Sequence, residues 1–260
     1  MKVSQSMMKA YNDYIQGNEC GLVFKAKYID KRSFPSTDAQ KLGQFFEYCA
    51  TGALPAYDPQ VPEAKVVYKG TPKEKLATDY ERAYASAEYF KSLVKALNIT
   101  ILDVGVNADT DTMSGTFDVL AEWNMRTCII DLKYSSLVDD KWNEFGWHKD
   151  FLHEKENLLI QGVHYSLLAK HALAIEDVDF YFWVFNAKDP RDVRIFKEEI
   201  QEDRFRIHEV AVEQVGKRVE DTQANNAWKV YPSLQRCNDC PLRDECDSVQ
   251  LIPSIDKIYF

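Results

Sequence analysis

In "TCIIDLKYS", residues 127–135, an aspartate and a lysine stand two positions apart at the end of an apolar run. Along a β-strand, residues two apart share a face. Asp131 and Lys133 therefore project together, while Ile130 and Leu132 point the other way. The preceding β-rich run, "GTFDVLAEW", carries Asp118. A hairpin across "NMRT" would bring Asp118 to Asp131. Two carboxylates so placed repel, and one is driven toward its neutral form unless a cation sits between them. A hard divalent ion with oxygen ligands suits that position. It would lower the pKa of a bound water and polarise a phosphoryl oxygen. The lysine would orient the nucleophile and offset charge developing on the phosphorane. Taken alone, Asp-x-Lys is a common tripeptide and also reads as a salt-bridged pair at a strand end.

The elements that must position these residues follow from pattern. Residues 4–18 read as a short amphipathic helix ending near Gly17. Residues 36–50 read as a second helix, with Ser36 or Thr37 as N-cap. Pro55, Pro59 and Pro62 make residues 53–64 a loop, and "KVVYKG" follows as a short strand. The stretch 71–98, free of glycine and with Pro72 near its start, predicts a long helix. The period then changes. "ITILDVGV", "MSGTFDVLAEW" and "TCIIDLKYS" predict three strands in an antiparallel meander. Residues 154–173 return to helix, residues 177–187 and 192–199 give two more strands, and a last helix spans roughly 200–229. The order predicts a mixed α/β domain with a helical N-terminal part.

The motifs on those elements resemble a known family. Asp118 in G-T-F-D, followed 13 residues later by D-L-K, resembles the core of the PD-(D/E)xK nuclease superfamily. The next helix carries "QGVHY", with Gln161 and Tyr165 at i and i+4 on one face. That Q-x3-Y signature resembles the RecB-like branch. The branch usually has, upstream, a Gly-x-x-x-His helix motif whose histidine binds the metal. Here "GQFFE" runs from Gly43 to Glu47, so a glutamate, also an oxygen ligand, stands where the histidine would be.

The resemblance implies an α/β fold with a restriction-endonuclease-like core, a mixed central β-sheet flanked by helices. It implies one nuclease domain over residues 1–260, with a helical N-terminal part over 1–60 and a cysteine-rich tail over 231–260 closing onto the N-terminus. It implies that Glu47, Asp118, Asp131 and the Leu132 carbonyl bind Mg2+ or Mn2+, and that Lys133 is the catalytic lysine. Gln161 and Tyr165 would position the DNA backbone or that lysine. Without the other motifs, these two are a polar helix edge and a half-buried tyrosine.

The tail "YPSLQRCNDCPLRDEC" holds Cys237, Cys240 and Cys246 in a C-x2-C-x5-C spacing. A tetrahedral site or a cubane cluster needs a fourth ligand. Cys20, Cys49 and Cys128 are the candidates. Cys128 lies in the apolar strand and reads as a packed core thiol, and Cys49 follows Glu47 on a core helix. Cys20 sits in a segment that resembles the N-terminal "S-x-S…C-x-x-x-(F/Y)" stretch of iron–sulfur RecB-like nucleases. The one-plus-three layout is that of CRISPR-associated RecB-like exonucleases and AddB-type nuclease domains. It implies a [4Fe-4S] cluster on Cys20, Cys237, Cys240 and Cys246. Spacing alone does not separate this from Zn2+ or from free thiols.

The aromatic loop with Trp142, Phe145, Trp147 and His148 could stack on unpaired bases or be a partly buried loop. His153, His164 and His171 show no H-E-x-x-H spacing and read as surface or structural residues. No phosphate-binding P-loop and no G-x-S-x-G elbow occurs, so any helicase or recombination partner would be a separate protein.

The 260 residues are 45% hydrophobic and 28% charged, enough for a sizeable core, and carry a formal charge of −9. That total argues against coating nucleic acid through bulk charge. It leaves room for carboxylates gathered at metal ions and for a local DNA groove. The N-terminus has no apolar h-region and no run approaches a membrane span, so a cytoplasmic location is the default. The expected function is metal-dependent hydrolysis of DNA phosphodiesters by an exonuclease in recombination, repair or phage or CRISPR DNA processing. The alternative is a non-catalytic DNA-binding or assembly protein that keeps the fold.

Overall fold

A computed structural model of the chain describes residues 1–53, 65–67, 74–141, 152–232 and 234–247. Its elements, in chain order, are β1 (Val3–Ser4), α1 (Gln5–Ile15), α2 (Gly21–Phe24), a π-helical turn (Lys25–Ile29), α3 (Asp38–Thr51), β2 (Lys65–Val67), β3 (Glu74–Leu76), α4 (Thr78–Ala96), β4 (Thr100–Asp109), β5 (Met113–Trp123), β6 (Arg126–Ser135), α5 (Val138–Lys141), α6 (Leu152–Leu173), β7 (Asp179–Asn186), β8 (Asp189–Glu198), α7 (Glu202–Ala224) and α8 (Leu234–Asn238). The protein is mixed α/β, with a central mixed sheet flanked by helices. Two compact units divide it: Ser36–Val210 forms the larger, and Val3–Pro35 with Ala211–Phe260 the smaller.

In the larger unit, β4, β5 and β6 form the antiparallel meander that the alternating pattern predicts. β6 then pairs in parallel with β7, and β7 pairs antiparallel with β8. Between β5 and β6 the chain turns at Asn124 and Met125, with φ of 53° and 62°. Two successive left-handed residues make a primed turn, whose twist matches that of the strands. The resulting register sets Trp123 opposite Arg126 and Val119 opposite Ile130.

One face of this sheet meets α3 and α4. Phe45 and Phe46 of α3 and Ala83, Ala87 and Phe90 of α4 pack on Val119, Ile130, Trp183 and Phe185. Phe90 is fully buried, its ring 5.6 Å from Trp183 and 6.2 Å from Phe185. Truncating it would leave a cavity that these rings are too stiff to fill. Phe90→Ala should cost about 3–5 kcal/mol, read from the urea midpoint at unchanged slope.

α3 begins at a capping box, with Thr37 and Gln40 exchanging hydrogen bonds, so Thr37 is the one of the two expected N-caps that is used. Its Phe45 and Phe46 bind it to the sheet. α3 belongs to the larger unit.

The predicted helix 71–98 is corrected at its start. Glu74–Leu76 is a strand paired antiparallel with Lys65–Val67, and helix begins only at Thr78. The charged "KEK" favours helix locally, but the strand at Val66 and Val67 offers a ladder partner, and propensity is a weak prior beside tertiary pairing. The rest of "KVVYKG", the proline loop beyond Ala53 and the aromatic loop with Trp142, Phe145, Trp147 and His148 lie outside the described residues.

α6 covers the other face of the sheet and meets α7 through a buried histidine pair. His164 Nδ1 is 2.9 Å from His208 Nε2, and His164 Nε2 is 3.1 Å from the Ser114 carbonyl. The carbonyl only accepts, so His164 carries its proton on Nε2 and accepts from His208 through Nδ1. Both rings are neutral. Burial lowers His164 to about 4, and burial with the neighbouring ring lowers His208 to about 3. The unfolded chain takes up these protons near about 6.5. Stability from this pair is therefore complete above that value and is lost as pH falls toward 4. A Tm series across this window should fall with acid, and His164→Gln with His208→Gln should flatten it.

The smaller unit is built on aromatic packing. Tyr14, Phe24 and Trp228 stack within 6 Å of one another. Gly21 N donates to Lys229 O, and Lys229 N donates to the Tyr14 hydroxyl. A Cβ at Gly21 would stand 2.5 Å from Lys229 O, so this approach needs glycine. Arg32 binds Glu245 through two bonds of 2.8 and 2.7 Å, joining the N-terminal segment to the tail. No described helix is long and apolar enough to cross a membrane.

Candidate active site

The β5–β6 ladder ends at Val119 opposite Ile130. One step on, Asp118 and Asp131 come to the same side. Leu132 N–H donates to Asp118 Oδ2 at 2.7 Å. The side chain thus replaces a backbone acceptor just where the strands part. Leu132 thus touches the carboxylates through its N–H.

Asp131 is 2% exposed and is held from two sides. Gln161, on α6, donates through Nε2 to Oδ1. Lys133 Nζ lies 2.6 Å from Oδ2. That contact holds Oδ2 both by charge and by a side-chain hydrogen bond. Lys133 also lies over the Phe182 ring, 5.8 Å from its centre. Tyr165, one helical turn beyond Gln161 and hydrogen-bonded to it, packs against Phe117. Asp118, Asp131, Lys133, Gln161 and Tyr165 are thus brought together by β5, β6 and α6.

Glu47 joins from α3, close enough for its charge to be felt by Asp118 and Lys133. A Cβ at Gly43 would meet nothing, so packing does not require glycine there.

The electrostatics are one-sided. Burial, then Asp131 and Glu47, push Asp118 well above the usual carboxylate range. Burial raises Asp131 against the pull of Lys133. Burial and Asp131 raise Glu47. Burial would lower Lys133, but Asp131, Asp118 and Glu47 together raise it and keep it charged. Burial, with Asp131 and Asp118, raises the Tyr165 hydroxyl, so it stays protonated.

A further carboxyl was not expected. Glu198, the last residue of β8, is 5% exposed, with both oxygens lacking a hydrogen-bond partner. Burial and Asp131 push it up to about 9, so it is neutral at neutral pH. It rests on Gly162 of α6, where a Cβ would stand 1.8 Å from Oε2. Gly162→Ala should therefore destabilise by about 1–3 kcal/mol. In the double variant with Glu198→Ala the penalty should largely vanish, and a double-mutant cycle on urea midpoints measures that coupling.

The donor set of Glu47, Asp118 and Asp131 fits a hard divalent ion in kind: all oxygen and mutually repelling. In arrangement it is drawn in on Lys133, Gln161 and the Leu132 N–H. Among the described residues, no three His, Cys, Asp or Glu side chains are placed so that they could hold a metal ion.

The same holds for the thiols. Cys20, Cys237, Cys240 and Cys246 are all free and half-buried in the smaller unit. The Cys240 thiol is raised by burial and also by Cys20, Cys237 and Cys246, which places each of those three within electrostatic reach of Cys240. Cys128 is buried in the core, as its strand predicts, and Cys49 stands on α3 at the edge of that core.

No protein-family model matches the chain. No curated protein matches it. Its fold has been seen before. A crystal structure from Eubacterium rectale, named "Putative exonuclease", superposes on 98% of this chain and 94% of its own with a TM-score of 0.62. The two sequences are 17% identical, so the likeness is one of fold. A second solved structure, SSO0001, is 12% identical over 65% of this chain and 71% of that one, with a TM-score of 0.28, and supports no argument.

Proposed function

We propose that this chain is a metal-dependent deoxyribonuclease of the PD-(D/E)xK superfamily, RecB-like branch, working as an exonuclease. The observation that carries the reading is the joining of Asp118, Asp131, Lys133, Gln161 and Tyr165, from three elements, in one network. Their sequence spacing is that of the family motifs. The fold it shares with the Eubacterium rectale protein named "Putative exonuclease" supports the same reading.

Glu47, Asp118 and Asp131 would hold Mg2+ or Mn2+, which would supply a water of lowered pKa and a positive charge for the scissile phosphate. The protein's own groups prepare that site. Gln161 fixes the Asp131 carboxylate through Oδ1 and leaves Oδ2 to Lys133 and the cation. The Leu132 N–H fixes Asp118. Lys133, kept protonated by three carboxylates, presents a positive charge for the pentavalent phosphorane. Tyr165, protonated, is a hydrogen-bond donor at the edge of the site.

Cys20, Cys237, Cys240 and Cys246 would hold a [4Fe-4S] cluster, with Zn2+ the alternative occupant. Either would join the N-terminal segment to the tail within the smaller unit.

End-labelled DNA incubated with the protein and Mn2+ or Mg2+ tests the nuclease reading. Progressive shortening from an end is expected. Binding without cleavage under either metal would leave a DNA-binding protein and sink the enzyme.

A further inference from the structure

In the larger unit, α3 carries a glycine in its interior that the fold itself gives no reason to keep. Gly43 lies inside Asp38–Thr51, where glycine is a poor helix former. Among the described glycines only Gly17, Gly52 and Gly105 have positive φ, so the backbone at Gly43 suits any residue. Packing asks for nothing either. At Gly21, Gly115 and Gly162 an added Cβ would stand 2.5, 2.9 and 1.8 Å from a neighbour, whereas at Gly43 it would meet no described atom within 4 Å.

That open space is not on the outer side of the helix. Successive helical residues turn by about 100°, which puts Gly43 between Phe46, about 60° to one side, and Glu47, about 40° to the other. Phe46 is 1% exposed and packs on Tyr134 and Phe185, with ring centres 5.0 and 4.9 Å away. Glu47 is close enough to Asp131 and Lys133 to feel both charges. Gly43 therefore faces inward, one turn before Glu47, and what it faces among the described residues is a gap. Bare glycine backbone lets a ligand approach closely. The ligand follows from the place. A strand cut at Asp118 and Asp131 brings its backbone to Glu47 as well, and one helical turn of about 5.4 Å spans one to two nucleotide steps of about 3.4 Å. We infer that Gly43 is a substrate-positioning residue: it keeps α3 bare beside Glu47, so that the sugar-phosphate backbone of the scissile strand lies against the helix one or two nucleotides from the cut. This rests on the nuclease reading.

Gly43→Ala and Gly43→Gln, which both bring in good helix formers, test it in the full-length protein. Each should raise Tm and yet handle DNA less well, opposite signs that a purely structural glycine would not give. Gly43→Ala should raise KM for end-labelled DNA by about tenfold, and Gly43→Gln by more, with kcat at saturating DNA changed less. Fluorescence anisotropy of a labelled strand, with Ca2+ in place of Mn2+, should show the same order in Kd. Mn2+ affinity by calorimetry should stay at the wild-type value. Wild-type KM and Kd in both variants would overturn the proposal and leave the nuclease reading standing. A lower Tm in Gly43→Ala would also overturn it, by showing that the glycine serves packing. So would Mn2+ affinity that falls in step with DNA affinity, since the added carbons would then be acting through Glu47. If the wild type binds the strand but cuts nothing, the nuclease reading fails, and the Kd series alone decides whether Gly43 admits the strand.

Discussion

Asp131→Ala should abolish Mn2+-dependent shortening of end-labelled DNA, by roughly three orders of magnitude, with the fold retained. Asp131 is where the network closes: Gln161 on one oxygen, Lys133 on the other, and the repulsion of Asp118 and Glu47 around it. Its loss removes a proposed metal ligand and frees Lys133 from its closest anion. The stability cost should be smaller than for an ordinary broken buried pair, because relief of repulsion at Asp118 and Glu47 works the other way. Lys133→Ala should lower cleavage by about a hundredfold to a thousandfold for a different reason. It leaves three proposed ligands in place and removes the charge that faces the phosphorane. Wild-type cleavage by either variant would remove this site from the reaction. Circular dichroism and Tm on the same preparations separate lost chemistry from lost fold.

Cys240→Ser should bleach the protein and loosen the smaller unit. Anaerobically purified wild type is expected to show visible iron–sulfur absorption, and the variant to lose it. A colourless wild type with stoichiometric zinc would identify the other occupant. In small zinc domains, metal binding contributes about 10–16 kcal/mol that is also folding free energy. The smaller unit additionally has Tyr14, Phe24 and Trp228 and the Arg32–Glu245 pair, so the variant should melt earlier in this part without unfolding the sheet of the larger unit. Equal spectra and equal Tm for wild type and Cys240→Ser would sink the cluster altogether.

The parts of this protein that were legible in its sequence are those set by local period. Alternation in β4, β5 and β6 gives the meander, and the step of two from Asp131 to Lys133 gives their common face. The step of four from Gln161 to Tyr165 places both on α6. Glu198 was not legible. Its position depends on β7 and β8 pairing with Phe180 opposite it and on Gly162 making room from another element. No window of sequence around "FKEE" contains either fact. The same blindness misread Glu74–Leu76 as helix, since its partner strand lies nine residues upstream of its start. His164 read as a surface or structural histidine; it is structural, because α7 brings His208 to it.

The hairpin joining the two aspartates has arms of fixed length. Five paired positions run from Trp123 and Arg126 to Val119 and Ile130, and the carboxylates follow on the next step. On such a ruler, how many residues there are matters as much as what they are. Met125, at the turn, is 94% exposed, and its side chain can be exchanged, tagged or labelled freely. One residue added to either arm would move a carboxylate to the opposite face of the sheet. The same slip would turn core residues such as Val119 or Ile130 out of the sheet's packed face, so the proposed chemistry and the packing would be lost together. In this hairpin, insertions and deletions in the arms strike site and core at once, and the exposed turn at Met125 is where substitutions are tolerated.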